Sequence, residues 1–512
     1  MVASAHYLAS QAGVWMLRQG GNAVDAAVCA AATIAVVAPH LNGVGGDLFA
    51  LVWSDGAQAP VGLNASGRSG SLAGISRLRS QGHEVMPARG PLAVSVPGAV
   101  SGWAALLERF GRTRLFDALQ PAIEYAENGV PVTQRLAGAI AGNRELICTD
   151  AGMTAVFTRN GRPLAERDSF RNPDLAASLA EIAKSDGEAM YRGGLAQRLV
   201  DGLRSAGGLL KPEDLAGHSV EWVEPISTTF QRRTVYELPP NTQGVCALEL
   251  LNLVETSDPS SIGHNTAGYI DGLAKAMRLA YEDRDRYVTD PTFADIPTAM
   301  LGSKDYAQRR WREEPAPVST RDGDTVYLCV VDDRHGAVSL IQSNYMGFGS
   351  FVMPAGTGIH LHNRGSYFSL DPDHVNRLEP GKRPMHTLIP AMTALEGQPE
   401  IVFGSMGGDA QPQFQLQVLQ NHLRFGMSLQ EAVEAARFVF VGEKNGPPRI
   451  VLEAERFPRE TAEQLTLRGY DVDSVEAWSG LMGHAQAIRI VPESSLLEGA
   501  ADPRGDSAAL GF

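Results

Sequence analysis

The sequence predicts an α+β protein, on three observations. Apolar residues at helical spacing fill the opening segment, helical patterns alternate with brief strands to about residue 300, and from residue 325 the texture turns to strands and hairpins. The stretch "SQAGVWMLRQGGNAVDAAVCAAATIAVVAPH" reads as a helix, a break at Gly20 and Gly21, and a second helix capped by Asn22 with Asp25 three residues on. Its alanines imply close helix packing. The apolar run from 26 to 39 falls short of the roughly 20 residues a bilayer span needs, so a buried helix is expected there. "LNGVGGDLFALVWSDG" gives a glycine loop and a short strand. The pattern "AGYIDGLAKAMRLAYEDRDRYV" predicts a long helix on which Glu282 and Arg286 pair across one turn of a solvated face. "QPQFQLQVLQNHLRFG" predicts a further helix among the C-terminal strands, and no internal repeat is found.

Composition narrows the function. The 54 glycines and 30 prolines are spread along 512 residues, as in an ordinary globular chain. A formal charge of -14 supplies no broad footprint for phosphate backbones, so no nucleic-acid partner is expected. Cys29, Cys148, Cys246 and Cys329 are far apart, without metal or redox spacing, which fits a reducing compartment. With no export-type opening and no membrane span, a cytoplasmic protein is expected. "HLH" puts His360 and His362 on one strand face without a third ligand at suggestive spacing, so no metal is expected. "GVGGDL" lacks the strand-then-helix frame of a dinucleotide fingerprint, and there is no G-x-S-x-G elbow.

The segment "REEPAPVSTRDGD" reads as an exposed loop, and "TVYLCVVD" begins directly after it. This strand, "DRHG" and "AVSLIQSN" form a predicted hairpin. If Asp332 pairs with Gly336, Thr325 lies opposite Ser343, and a one-residue slip brings Asn344 there instead. Cleavage between Asp324 and Thr325 would give the threonine hydroxyl a free α-amine as its own base. The plainer reading is a threonine placed for β-propensity. In "FGSMGGDAQPQF" a short strand runs into Gly407, Gly408 and a helix, an arrangement suited to an oxyanion hole or simply to a glycine turn.

In chain order, "MVAS", "GGNAVDAAV", "NGVGGD", "SVPGAVSGW", "ELPPNTQG", "DTVYLCVVD", "FGSF", "GKRPMHTLIPAM" and "GSMGGDAQPQ" resemble the γ-glutamyltranspeptidase family of N-terminal nucleophile hydrolases. The resemblance implies a four-layer αββα sandwich and self-cleavage of a precursor into residues 1–324 and 325–512, which stay associated as one structural domain. It implies Thr325 as nucleophile, Ser343 as its supporting hydroxyl, Gly407 and Gly408 as oxyanion glycines, and no cofactor. Oligomeric state is left open, a homodimer included.

The positions that read an amino-acid head group in this family differ here. The carboxylate-binding arginine falls on Ala65, with Arg68 three residues further on; the family's asparagine falls on Tyr345, its glutamine and aspartate on Arg364 and Tyr367, and its serine pair on His386 and Thr387. A buried ammonium without a carboxylate partner is costly. Arg68 and Arg364 are instead suited to a substrate carboxylate, or to structural ion pairs. The pattern resembles the branch of oxamate amidohydrolase and the cephalosporin acylases, implying a small carboxylate-bearing amide as substrate. The alternatives are a true γ-glutamyltransferase or glutathione hydrolase, and an unprocessed binding homologue.

Overall fold

Side chains of the strand Asp324–Val331 point alternately into two cores. Val326, Leu328 and Val330 join a cluster with the N-terminal helices, while Tyr327, Cys329 and Val331 face a second sheet. Residues 48 to 53 alternate in the same way, with Leu48, Ala50 and Val52 on the helical side and Phe49, Leu51 and Trp53 between the sheets. Both faces are therefore apolar, which explains a near-continuous hydrophobic run where a solvent-facing strand would alternate with polar residues.

A computed structural model describes residues 1–443, 446–492, 494 and 496–512. One sheet has seven strands in the spatial order Ala508–Leu510, Val2–Ser4, Asp324–Val331, Ala337–Tyr345, Asp47–Trp53, Val61–Asn64 and Glu221–Val223. The second has six, in the order Leu497–Ala501, Ala485–Ile490, Gln398–Ser405, Ala391–Leu395, Arg233–Glu237 and Ile226–Phe230. Helices Tyr7–Arg18 and Ala23–Val37 pack outside the first sheet; Gly244–Ser257, Ala267–Tyr287 and Gln411–Leu423 pack outside the second. The result is a four-layer αββα sandwich. The sheets approach closely at Gly404, where a Cβ would lie 2.4 Å from the Tyr327 ring. Among the described residues, no helix is long and apolar enough to cross a membrane.

The opening helices follow the sequence reading. Asn22 caps Ala23–Val37 in a reciprocal box with Asp25, and all fifteen residues of that helix are buried. The buried Asp25 carboxylate also accepts from the Arg112 and Thr113 N–H groups and from the Thr113 hydroxyl. Removing it leaves several part-buried donors without their acceptor and undoes the cap, so Asp25→Ala is expected to cost about 2 kcal/mol, read from the urea midpoint of the single-chain Thr325→Ala protein.

Two local expectations are corrected. Glu282 pairs with Arg310 at 2.7 Å instead of with Arg286, which lies over the Tyr287 ring. The reason is that the nearly buried Arg310 draws in Glu282, Asp283 and Glu313 together. His360 and His362 do not lie on a named strand; the His360 ring bonds the Pro39 carbonyl, and the His362 ring bonds the Ser95 carbonyl and accepts from the Arg364 N–H.

Candidate active site

The hairpin forms as its turn residues require: the Asp332 N–H donates to the Gly336 carbonyl, with His335 at φ +60° in the turn. Its register pairs Val326 with Gln342 but Asp324 with Tyr345, so a bulge falls at Thr325. The bulge brings three oxygens together. The Thr325 hydroxyl lies 2.6 Å from the Asp324 carbonyl oxygen and 3.2 Å from the Ser343 hydroxyl, and Ser343 donates to the same carbonyl at 2.6 Å. The Tyr345 N–H donates to the Ser343 oxygen at 2.7 Å, leaving that hydroxyl's proton for the carbonyl. Thr325 is buried.

The segment before Thr325 lies across the two glycines. Gly408 has φ +53°, and a Cβ there would be 2.6 Å from the Gly323 nitrogen. Only glycine admits this crossing. The Arg321 N–H donates to the Asp409 carboxylate at 2.9 Å, and the Arg321 guanidinium reaches the Ser366 carbonyl and stacks over Tyr367. Asp409 is also held by the Tyr367 hydroxyl and pairs with buried Arg284 at 3.3 Å. Among the described residues, no N–H of Gly407 or Gly408 reaches the Asp324 carbonyl, and residues 321–323 lie against Gly408.

Burial pushes the Asp324 carboxyl up to about 6, against the Gly347 N–H and Arg89. A carboxyl raised on folding stabilises the protein below its unfolded pKa and loses that contribution as pH rises through the folded one. The uncut chain is expected to lose on the order of 2–3 kcal/mol from this group between about pH 4 and 6. The check is a comparison of denaturation midpoints for Thr325→Ala with and without Asp324→Asn, which should flatten that window.

Beside the hydroxyl pair, Tyr345 adopts φ +76° and sets its ring under Arg364, whose Cζ lies 4.4 Å from the ring centre. Arg364 is buried, and its Nη1 donates to the Thr387 hydroxyl at 3.0 Å. Among the described residues, its Nε and Nη2 have no partner. Burial pulls this guanidinium down to about 10, opposed by Tyr345, Asp47 and Asp409. His386, next to Thr387, bonds the Asp47 carboxylate at 3.1 Å, and burial holds its ring well below the usual imidazole range. A cavity of about 530 Å³ borders Tyr345, Tyr367, Met385, Arg321 and Asp409. Ala65 is a buried core residue. Arg68 spends its donors on Asp290, Glu221 and the Gly381 carbonyl. The structure thus gathers Tyr345, Arg364, Tyr367, His386 and Thr387 around one buried cation and gives Arg68 a separate ion cluster.

A γ-glutamyltranspeptidase family model matches residues 9–512. The chain belongs to the γ-glutamyltranspeptidase family. It is 42% identical to the glutathione hydrolase-like YwrD proenzyme of Bacillus subtilis, covering all of this chain and 98% of that one. It is 37% identical to the oxamate amidohydrolase proenzyme of Klebsiella pneumoniae, again over 100% and 98%. The crystal structure of a cephalosporin acylase from Bacillus halodurans superposes with TM-score 0.92 at 39% identity, covering 99% of this chain and 94% of the other.

Within this γ-glutamyltranspeptidase-family chain, several residues gain a place that sequence reasoning did not give them. Gln243 bridges the Thr387 and Gly408 carbonyls, Arg284 neutralises Asp409, and Asp47 bonds His386 and the Gly67 N–H. Gln243, Asp47 and Asp409 all lie in the quoted motifs "ELPPNTQG", "NGVGGD" and "GSMGGDAQPQ". Their motif positions marked them; their partners, far away in sequence, did not.

Proposed function

We propose that the protein is a self-processing amidohydrolase that cleaves the amide of a small, carboxylate-bearing acyl group through an acyl-Thr325 intermediate. The observation that carries this reading is the Thr325 hydroxyl 2.6 Å from the Asp324 carbonyl oxygen, with the Ser343 hydroxyl donating to that oxygen. In maturation the Thr325 oxygen attacks the Asp324 carbonyl carbon and the peptide C–N bond breaks. That break, with the hydroxyl proton passing to nitrogen, frees the Thr325 α-amine and leaves the Asp324 acyl group as an ester on the Thr325 oxygen; water hydrolyses the ester, releasing the Asp324 α-carboxylate and restoring the hydroxyl. In turnover that amine takes the hydroxyl proton as the oxygen attacks the substrate carbonyl, and passes it to the departing amine. Water then releases the acid. Gly407 and Gly408, uncovered once the segment before Thr325 is free to leave, serve as oxyanion donors.

Arg364 supports the acid half of the proposal. A buried guanidinium with two idle donors is an anchor for a carboxylate, and Tyr367, where the family resemblance puts the ammonium-reading aspartate, carries no charge to pair with an ammonium. Arg68, already paired, is the lesser candidate. A second reading, γ-glutamyl transfer or glutathione hydrolysis, is favoured by the likeness to the glutathione hydrolase-like relative.

The test is intact mass and N-terminal sequencing of freshly purified protein, followed by turnover of oxamate, a glutaryl anilide and a γ-glutamyl anilide. Two chains, the second starting at Thr325, with turnover of oxamate or the glutaryl amide, support the proposal. Comparable turnover of the γ-glutamyl anilide moves the second reading forward, and an uncut, inactive chain sinks both.

A further inference from the structure

A second cavity, of about 300 Å³, touches the site and shares no lining residue with the one bordered by Tyr345 and Tyr367. It is bordered by Asp324 and Gly407 and reaches His40, Arg135, Gly480 and His484. Three features make it a built site. His484 is only 5% exposed, yet among the described residues neither ring nitrogen has a partner, and His40 Nδ1 is likewise unpartnered. Burial at a cost of this size normally implies a bond still to be made.

The donors converge. A Cβ on Gly480 would lie 3.3 Å from His484 Nε2 and 3.8 Å from Arg135 Nη1, so the glycine leaves open the space both groups face. Arg135 spends only Nη2, on the Pro503 carbonyl at 3.4 Å. The His484 backbone is tied to the glycine turn: its carbonyl accepts from the N–H of Met406, the neighbour of Gly407. Burial pulls both imidazoles down, His484 to about 4 and His40 to about 3, so each is neutral near pH 7 with an N–H to offer.

The anions bordering the cavity in the uncut chain are Asp322 and Asp324, both on the segment ending at the proposed cut. Self-cleavage frees that segment to leave and strips the donors of their acids. An amide has two halves. If the acyl half points its carboxylate at Arg364, this second cavity receives the amine half.

We propose that this second cavity is the amine-side subsite, and that it selects an amine carrying its own carboxylate, either as the leaving group or as an acceptor. The inference rests on the Thr325 reading given above. Two substrates sharing one acyl group separate the possibilities: glutaryl para-aminobenzoate, with an anionic leaving amine, and glutaryl para-aminobenzamide, its neutral counterpart. The parent is expected to favour the anionic substrate by about tenfold in kcat/KM. Arg135→Ala and Gly480→Ala, the second filling the space without touching any charge, are each expected to bring that ratio close to one. Destabilisation lowers both rates and leaves the ratio alone, so a ratio unchanged in both variants, or a parent with no preference, overturns the inference. If neither amide is turned over, the Thr325 reading is judged separately, by chain cleavage and oxamate turnover. Saturation-transfer NMR with free para-aminobenzoate then decides: binding lost in Arg135→Ala upholds the subsite, and no binding to the parent removes it.

Discussion

Replacing Thr325 with alanine is expected to leave a single chain of 54.7 kDa, uncut on prolonged incubation and without turnover. Both proposed reactions use the same oxygen, so both vanish together, with kcat falling by at least about a thousandfold. The control is Thr325→Ser, which keeps the oxygen and removes one methyl. It is expected to cut itself more slowly and to retain measurable turnover. Ser343→Ala separates the roles further, because it removes the hydroxyl that donates to the Asp324 carbonyl while leaving the nucleophile in place. Cleavage at the normal rate in Ser343→Ala would refute the carbonyl-polarising role given to that residue.

The second large effect is expected at Arg364. Arg364→Met keeps much of the side-chain volume between Tyr345 and Tyr367 but removes the charge and the two idle donors. For a carboxylate-bearing amide, kcat/KM is expected to fall by about a hundredfold or more, the cost of losing a buried, charge-assisted anchor. The loss belongs mainly in KM, provided chemistry is slower than substrate release. An otherwise identical amide carrying a carboxamide in place of its carboxylate is expected to change little between parent and variant. Equal losses on both substrates would show that Arg364 only supports the fold.

How much of this was legible before the structure depended on the range of the interactions. The hairpin register followed from Asp332, three turn residues and Gly336, so the meeting of Thr325 with Ser343 was readable from local spacing. The Asn22–Asp25 cap was equally local. The bulge at Thr325 was not, because an even two-residue period gives no sign of where a strand gains a residue. Glu282 shows the same limit: its i+4 neighbour Arg286 was visible, while Arg310 came from another helix. Arg364 was found by position, but its idle donors and its seat on Tyr345 exist only in three dimensions. The four layers came from motif order, and the alternating cores at Thr325–Val331 supply their physical cause.

The strand order of the seven-stranded sheet bears on what the proposed cut does to the folding problem itself. Val2–Ser4, from the first product, pairs with residues 328–330 on one side and with Ala508–Leu510 on the other, both from the second. The pieces are interleaved, so they cannot drift apart while the sheet exists. As one chain, the protein assembles this sheet in a first-order reaction whose partners are tethered. After the cut, the same assembly is second order, and unfolding sets two species loose. The transition midpoint of the mature form then rises with protein concentration, whereas that of the precursor does not. Under the proposed maturation, the bond at Asp324 is a folding tether as well as the first substrate.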